Sequence, residues 1–383
     1  MRELAERGAD VRVVMTRSAQ RFVTSLTFSS LSGNPVATEL WESSPEVTHV
    51  ELARRAELVV VAPATAHALA KMAVGWADDL FSTTLLNVTC PVLVAPAMHT
   101  EMWEHPATQD HVATLEERGV VLVGPAEGPL LSGDVGAGRM SEPEDIVTAA
   151  TGLLERAHSL EGTRFVVTAG GTQEPIDPVR FIGNRSSGLM GFAIAREAVE
   201  RGAKVTLIAG DTSVPAPRGI DLVRVGTAEA MRQAVLSAAP HADVVVKAAA
   251  VADFRPAESS ASKLKKAEGP PRVELVPTPD ILAELGADPS LRAPGALLVG
   301  FAAETESDPE RLGRLAEEKR RAKKADVIVA NDVASSDSGF GARTNRAVLA
   351  TPDGLIDVGL VSKRALARAL MDHLASSLRT SRS

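Results

Sequence analysis

Short apolar runs alternate with longer amphipathic segments along this 383-residue chain. Runs of three to five residues rich in Val, Leu and Ala are typical of strands that are buried on both faces of a parallel sheet, and the segments between them have helical spacing of apolar positions. The pattern predicts strands at residues 11–15, 58–62, 92–95, 120–123, 165–168, 205–208, 244–246, 297–300 and 327–330. Helices must cover both faces of such sheets, so the fold class is α/β.

A domain boundary is predicted near residues 155–163, where a helical run gives way to polar residues before a new strand. We place two Rossmann-like three-layer α/β/α domains at residues 1–158 and 159–383, since this length suits two cores. The chain opens with a helical pattern at residues 1–7, whereas a doubly wound domain usually begins with a strand and a Gly-rich turn. We therefore expect the first domain to lack that strand and turn.

Composition narrows the class of protein. The formal net charge of -8 argues against a nucleic-acid binder, because such proteins need a basic surface. Cys90 is the single cysteine, so no intrachain disulfide is possible, which suits a reducing cytoplasm. No run of about 20 apolar residues and no charged-then-apolar leader is present. We expect a soluble cytoplasmic protein with no membrane contact.

In the second half of the chain, candidate functional residues come directly after predicted strands. Gly170 and Gly171 come directly after one strand, and the glycines are equally consistent with a structural turn and with a phosphate loop. Residues 175–191 then form a polar loop that carries Arg180 and Asn184 and leads into a predicted helix. Its serines lie at the helix N-terminus, a position that favours phosphate.

Basic residues follow another strand end, at residues 247–256. In open α/β sheets this edge holds ligands, but a lysine run such as residues 263–266 is more often a solvated surface. Six blocks in this order resemble the phosphopantothenate–cysteine ligase family, in its bacterial fusion with phosphopantothenoylcysteine decarboxylase: residues 184–188 (NRSSG), 249–253 (AAVAD), 263–266 (KLKK), 279–281 (PDI), 300–304 (GFAAE) and 330–332 (AND).

This resemblance implies a ligase that uses CTP and Mg²⁺ to join 4′-phosphopantothenate to cysteine. The carboxylate attacks the α-phosphate of CTP, and the amine of cysteine then displaces CMP from the acyl-cytidylate. Such steps concentrate negative charge, which positioned cations stabilise. By resemblance Asn184 holds the acyl-cytidylate, Arg180 supports its turnover and Lys263 neutralises charge in the second step. The CTP site is implied at Ala249, Asp253, Lys263, Pro279, Asp280, Ile281, Phe301, Lys319 and Lys323, whereas no metal ligands are identified.

The first half carries its own group of motifs. A lone histidine at a helix start, such as His49, is usually a packed or capping residue. The motifs that accompany His49 in this half of the chain favour a functional role instead. The motifs at residues 49–53 (HVELA), 62–66 (APATA), 78–80 (DDL), 96–103 (PAMHTEMW) and 136–140 (GAGRM) resemble the homo-oligomeric flavin-containing cysteine decarboxylases, which have a flavodoxin-like fold.

The second resemblance implies FMN-dependent decarboxylation of phosphopantothenoylcysteine to 4′-phosphopantetheine. His49 matches the essential histidine, Thr65 belongs to the flavin-binding loop, and His99 and Met102 lie in the substrate-binding motif. Ser132 stands where many relatives have a cysteine that protonates the intermediate. Serine is a much weaker acid, so another group must donate the proton or turnover is slow.

Two alternatives stay open from the residues. The chain could be a ligase only, with the first half serving as a non-catalytic oligomerisation module. A dinucleotide-dependent oxidoreductase is disfavoured, because no G-x-G-x-x-G follows a strand with an acidic residue about 20 positions further on.

Overall fold

The structure, a computed structural model, describes residues 1–41, 48–129, 135–265, 272–333, 342 and 344–382. The chain forms two compact units, Met1–Ala157 and His158–Ser383. Across the parts of the chain that the structure describes, no helix combines the length and apolar character that a membrane crossing requires.

The first unit is built around a short parallel sheet. Its described elements are α1 (Arg2–Glu6), α2 (Ser25–Ser32), α3 (Thr48–Arg55), β1 (Val59–Ala64), α4 (Ala66–Val74), α5 (Leu80–Asn87), β2 (Val92–Pro96), α6 (Thr100–Glu104), α7 (Pro106–Glu117), β3 (Val121–Leu122), β4 (Ala126–Pro129), β5 (Val135–Arg139) and α8 (Pro143–Ala157). The first three strands pair in parallel in the order β1-β2-β3, and β4 and β5 form an antiparallel hairpin.

Neighbouring residues of the central strand β2 enter two different apolar clusters. Val94 packs with Leu69 of α4 and Leu115 of α7, whereas Leu93 packs with Ile146 of α8. Because successive strand residues point to opposite faces, helices must cover both sides of the sheet. The predicted three-layer arrangement is confirmed for this unit.

The strand predicted at residues 11–15 is wrong. A single parallel bridge joins Val14 to Ala37, and two backbone hydrogen bonds surround it, from Met15 N to Ala37 O and from Ala37 N to Val13 O, each 3.0 Å long. The apolar run predicted burial, and Met15 is indeed buried. A strand also needs a partner over several residues, and the described residues provide only this bridge.

The second unit contains an eight-stranded sheet in the order β10-β9-β6-β11-β14-β15-β16-β17 and two small hairpins, β7-β8 and β12-β13. Its described elements are β6 (Arg164–Ala169), β7 (Gln173–Pro175), β8 (Phe181–Gly183), α9 (Leu189–Glu200), β9 (Lys204–Ala209), β10 (Ile220–Arg224), α10 (Ala228–Ala238), β11 (Val244–Lys247), β12 (Phe254–Pro256), β13 (Leu275–Pro277), α11 (Ile281–Ala287), β14 (Leu297–Glu304), α12 (Pro309–Lys323), β15 (Val327–Asp332), β16 (Thr344–Thr351), β17 (Gly354–Ser362) and α13 (Lys363–Arg382).

Two layers of helices sandwich this sheet. Val244 and Val246 of β11 pack in the cluster that contains α9 and α13, and Val245 packs in the cluster that contains α10, α11 and α12. In this sheet the neighbouring strands β10, β9, β6, β11, β14 and β15 run parallel, and β16 and β17 are antiparallel additions next to β15. The chain runs outward from β6 through β9 to β10 and then returns to β11 on the other side of β6. The carboxyl ends of β6 and β11 therefore flank a topological switch point, where such folds bind ligands.

Gly286 allows α11 to approach the C-terminal end of α12. A Cβ atom at Gly286 would collide with the backbone carbonyl oxygen of Lys323, whereas nothing lies within 4 Å of a Cβ atom at Gly226. Backbone atoms cannot rotate out of the way as a flexible side chain can. The absence of a side chain at Gly286 therefore fixes where Lys323 lies relative to α11.

We predict that Gly286→Ala destabilises the second unit by about 1–3 kcal/mol, because α11 and α12 must separate to relieve the collision. The matched variant Gly226→Ala should change the free energy of unfolding by no more than about 0.5 kcal/mol. Urea denaturation of the full chain measures both. Equal stabilities for the two variants would show that this close approach is unimportant.

Candidate active site

A cavity of about 630 Å³ opens in the second unit at the carboxyl ends of β11 and β14. Its wall combines the start of α9, the loop after β11, the start of α11 and one face of α12. It contains every residue that the ligase resemblance assigned, except Arg180 and Lys263: Asn184, Ala249, Asp253, Pro279, Asp280, Ile281, Phe301, Lys319 and Lys323. Residues from distant parts of the sequence thus share one cavity beside the switch point.

The start of α9 presents backbone N–H groups to this cavity. Gly188 is the N-cap, with φ at 78°, and no side chain caps the helix. An alanine there would be strained, and its Cβ would lie 2.7 Å from Thr212 Oγ1. Asn184 is held next to the helix by a 2.8 Å hydrogen bond from its Nδ2 to Val251 O. An uncapped helix start next to a fixed amide suits an anionic ligand.

Two lysines of α12 reach the cavity, each with a carboxylate partner. Lys319 Nζ lies 2.5 Å from Glu304 Oε1, and Lys323 Nζ lies 2.5 Å from Asp280 Oδ2. Asp280 also caps α11, since its Oδ1 accepts from Ala283 N at 2.9 Å. Burial alone would raise the pKa of Asp280, but the bonds from Lys323 and Ala283 N and the nearby Lys323 and Lys247 charges hold it below its usual range.

Lys247, Asn345 and Lys363 also line the cavity, although the sequence did not identify them as site residues. Lys247 is the last residue of β11, and burial lowers its pKa to about 7. Lys363, at the start of α13, donates to Asn345 Oδ1 at 2.8 Å, and burial lowers its pKa to about 8. Asn345 lies in β16 and Lys363 in α13. The positions of these elements could not be inferred from the sequence without knowing how the strands at that side of the sheet pair. Lys247 had a usable signal, a lysine at the end of a Val-rich strand.

Arg180 and Lys263 lie outside the cavity wall, on loops that Asp177 joins. Asp177 Oδ1 accepts from the backbone N–H groups of Val179 and Arg180, both at 2.8 Å. Its Oδ2 accepts from Arg180 Nη1 at 2.9 Å and from Leu264 N at 3.2 Å. Burial would raise the pKa of Asp177, but these hydrogen bonds lower it. Asp177 therefore ties the Arg180 loop to the segment that carries Lys263; Lys266, the last lysine of this run, lies outside the described residues.

The Gly170-Gly171 turn has a packing role. A Cβ atom at Gly170 would lie 2.7 Å from Asp211 O, and Gly170 has φ at 76°. Ala250 N donates to Gly170 O at 2.9 Å, and Gly171 N donates to Asp211 O at 3.2 Å. Neither glycine is among the residues that line the cavity. Of the two roles consistent with the sequence, the structure favours the turn.

In the first unit, Thr65 and His99 follow neighbouring strands. Ala64 and Pro96 are partners in the β1-β2 register, so both residues lie at the same edge of the sheet. Thr65 is the N-cap of α4, and its Oγ1 accepts from Ala68 N at 3.4 Å. His99 precedes α6, and its Nδ1 contacts Glu101 Oε2. Two helix starts thus follow neighbouring strands at one edge of the sheet and form a candidate binding position.

His49 and Met102 differ in exposure. His49 lies in the first turn of α3, and its Nδ1 is buried with no hydrogen-bond partner among the described residues. Met102 in α6 is 49% exposed. A buried ring nitrogen without a partner is costly in a protein interior unless a ligand or water satisfies it. His49 therefore has the property expected of a residue that faces a bound group.

The other motifs of the first half have local structural explanations. Lys71 Nζ contacts the carboxylates of both Asp78 and Asp79, and Asp79 caps α5. Cβ atoms at Gly136 and Gly138 would collide with Thr100 Oγ1 and Met98 O, so these glycines let β5 approach the predicted substrate-binding segment. Ser132 lies outside the described residues.

Comparisons with known proteins assign each unit to a class. Residues 1–155 match the family model described as Flavoprotein, and residues 160–378 match the model described as DNA/pantothenate metabolism flavoprotein C-terminal domain. The chain is thus a flavoprotein-type domain followed by a pantothenate-metabolism domain.

Full-length relatives narrow this class. The coenzyme A biosynthesis bifunctional protein of Mycobacterium bovis is 51% identical over 366 residues, which cover 92% of this chain and 86% of that protein. The same-named protein of Mycolicibacterium smegmatis is 48% identical over 395 residues, with coverages of 99% and 94%, and that of Bacillus subtilis is 46% identical over 357 residues, with 92% and 86%. The chain belongs to the family of coenzyme A biosynthesis bifunctional proteins, which confirms the resemblance found in its motifs.

We predict that Asp177→Asn loosens the segment that carries Lys263. The amide NH₂ group cannot accept the hydrogen bonds from Arg180 Nη1 and Leu264 N and would face these donors instead. Trypsin should then cleave after Lys263 and Lys265 about tenfold faster than in the wild type, because local opening becomes easier. The control is Asp221→Asn, at an exposed position of β10. Unchanged cleavage in the Asp177 variant would contradict the proposed tie.

Proposed function

We propose that the chain catalyses two consecutive steps of coenzyme A biosynthesis. The second unit joins 4′-phosphopantothenate to cysteine with CTP, and the first unit decarboxylates the resulting phosphopantothenoylcysteine to 4′-phosphopantetheine. The observation that carries the proposal is the cavity beside β11, where residues 184, 249–253, 279–281, 301, 319 and 323 meet. Both units match their own family model, so nothing favours the ligase-only alternative.

In the ligase step, the cavity would hold CTP and Asn184 would contact the acyl-cytidylate. The carboxylate of 4′-phosphopantothenate attacks the α-phosphorus, and pyrophosphate leaves; the amine of cysteine then attacks the acyl carbon, and CMP leaves with the P–O bond intact. The start of α9, with Lys319 and Lys323, would stabilise the phosphate charges. Arg180 and Lys263 would reach the site through movement of their two loops.

Mg²⁺ would enter together with the nucleotide. Among the described residues, no group of three or more His, Cys, Asp or Glu side chains is arranged to hold a metal ion. Mg²⁺ in nucleotide-dependent enzymes is commonly held by phosphates and one or two carboxylates. Asp253 lines the cavity and would supply such a carboxylate.

In the first unit, the residues present fit FMN. The start of α4 at Thr65 suits a phosphate or another polar group of the cofactor. The buried Nδ1 of His49 has no partner among the described residues, and the cofactor or the substrate would provide one. Bound FMN supplies the reversible two-electron oxidation of the substrate thiol. His99 and Met102 would then contact the substrate. A homo-oligomer is also proposed, and Phe22 and Trp41, each 89% exposed, offer apolar surface for it.

The two activities are tested in one assay of the full chain with 4′-phosphopantothenate, cysteine, CTP and Mg²⁺, in which pyrophosphate and CO₂ are measured separately. We predict that Asn184→Asp still releases pyrophosphate but lowers ligation to cysteine about 100-fold, because a carboxylate cannot donate the hydrogen bond to Val251 O that fixes residue 184 beside the acyl-cytidylate. Asp211→Asn, outside the cavity wall, is the control. Normal ligation by the Asn184 variant would rule out its assigned contact.

For the first unit, His49→Asn should reduce CO₂ release about 100-fold or more, while pyrophosphate release stays unchanged. The comparison is His111→Asn in α7, which should leave both products unaffected. Flavin absorbance of the purified variants shows whether loss of CO₂ reflects lost cofactor. CO₂ release at the wild-type rate in the His49 variant would refute a catalytic role for His49.

A further inference from the structure

Lys247 is buried in the wall of the second-unit cavity. It is the last residue of β11, between Thr168 of β6 and Gly300 of β14 in the sheet register. Only 8% of Lys247 is exposed, and its Nζ has no hydrogen-bond partner among the residues that the structure describes. An ammonium group normally makes up to three hydrogen bonds, and a lysine this buried is almost always paired.

The acidic group that acts on Lys247 already has other partners. Asp280 is the acidic group that acts on Lys247, but its Oδ2 accepts from Lys323 at 2.5 Å and its Oδ1 from Ala283 N at 2.9 Å. Burial lowers the pKa of Lys247 to about 7, and the Asp280 charge only partly opposes this effect. Burial therefore disfavours the charged form of Lys247 in the ligand-free protein, since no bonded anion compensates its desolvation.

The other cations in this cavity are arranged differently. Lys319 and Lys323 contact Glu304 and Asp280, and Lys363 donates to Asn345. Gly300, the strand neighbour of Lys247, contributes no side chain, so nothing from that position approaches the ammonium. The uncapped start of α9 lines the same cavity and also favours negative charge. These features leave a position for an anion that the described protein residues do not fill.

We propose that Lys247 is the buried anion receptor of the cavity, and that its ammonium group contacts a phosphate oxygen of a bound substrate. The site would take a phosphoryl group, from either the nucleotide or 4′-phosphopantothenate, and this identification of the ligands rests on the proposed function. Lys247 acts by binding and orienting the substrate, and no bond to it is formed or broken.

The test is Lys247→Met in the full chain, because methionine keeps an unbranched side chain of similar length without the charge. Calorimetric titration with CTP and with 4′-phosphopantothenate should show that the variant binds at least one of them tenfold or more weakly, the loss expected for a charge-assisted hydrogen bond. The ligand that is affected identifies the phosphate source. Cytidine and pantothenate lack the phosphate. Measured as competitors at millimolar concentration, their affinity for the variant should be less than twofold below their affinity for the wild type.

Thermal unfolding separates this role from a structural one. The ligand-free Lys247→Met variant should unfold at the same temperature as the wild type or higher, since a buried amino group without a hydrogen-bond partner has been removed. Lys204→Met, at an exposed position at the start of β9, is the charge-matched control and should leave both affinities unchanged.

Three results would overturn the proposal. The first is less than a fivefold loss for both phosphorylated ligands, which leaves the proposed function intact if the wild type binds them. The second is an equal loss for the unphosphorylated competitors, which would indicate a change of cavity shape. The third is a wild-type chain that binds neither CTP nor 4′-phosphopantothenate, which would overturn the proposed function as well.

Discussion

The sheet of the second unit must exclude water from both faces. The central strands β6, β9, β11 and β15 bury nearly every residue, and helices lie on both sides. Polar chemistry cannot be placed on either face of these strands without leaving groups unsatisfied in an apolar layer. It is therefore concentrated at the carboxyl ends of the strands, where the loops after β11 and before α9 and α11 converge. The candidate ligase site exists because of this constraint.

Parallel buried strands could be predicted because they leave a strong local signal. The eight predicted strands from residue 58 onward correspond to β1, β2, β3, β6, β9, β11, β14 and β15. The strands β10, β16 and β17 were missed. The two edge strands, β10 and β17, are largely exposed and lack a continuous apolar run. The error at residues 11–15 has the opposite cause. An apolar run indicates burial, but pairing depends on what lies beside it.

Some site residues could likewise be predicted from the sequence, whereas others could not. Motif resemblance found those on the loops around β11 and on α12, and the structure places them in one cavity. Asp177 was missed because its role depends on Leu264, 87 residues further along the chain, and no local pattern records that contact. Lys247 was visible at a strand end, but its burial and missing partner exist only in the folded protein. Sequence thus revealed which residue types were present, whereas long-range pairing decided what each one does.

The ion pairs of α12 affect which ligands can compete for the cavity. Lys319 and Lys323 are already paired with carboxylates, those of Glu304 and Asp280. A small inorganic anion that reaches these lysines must displace a carboxylate and gains little in return. A polyphosphate that spans several cations at once recovers that loss through the additional contacts. At these two lysines, such ion pairs therefore favour a ligand with several phosphate groups over a single small anion.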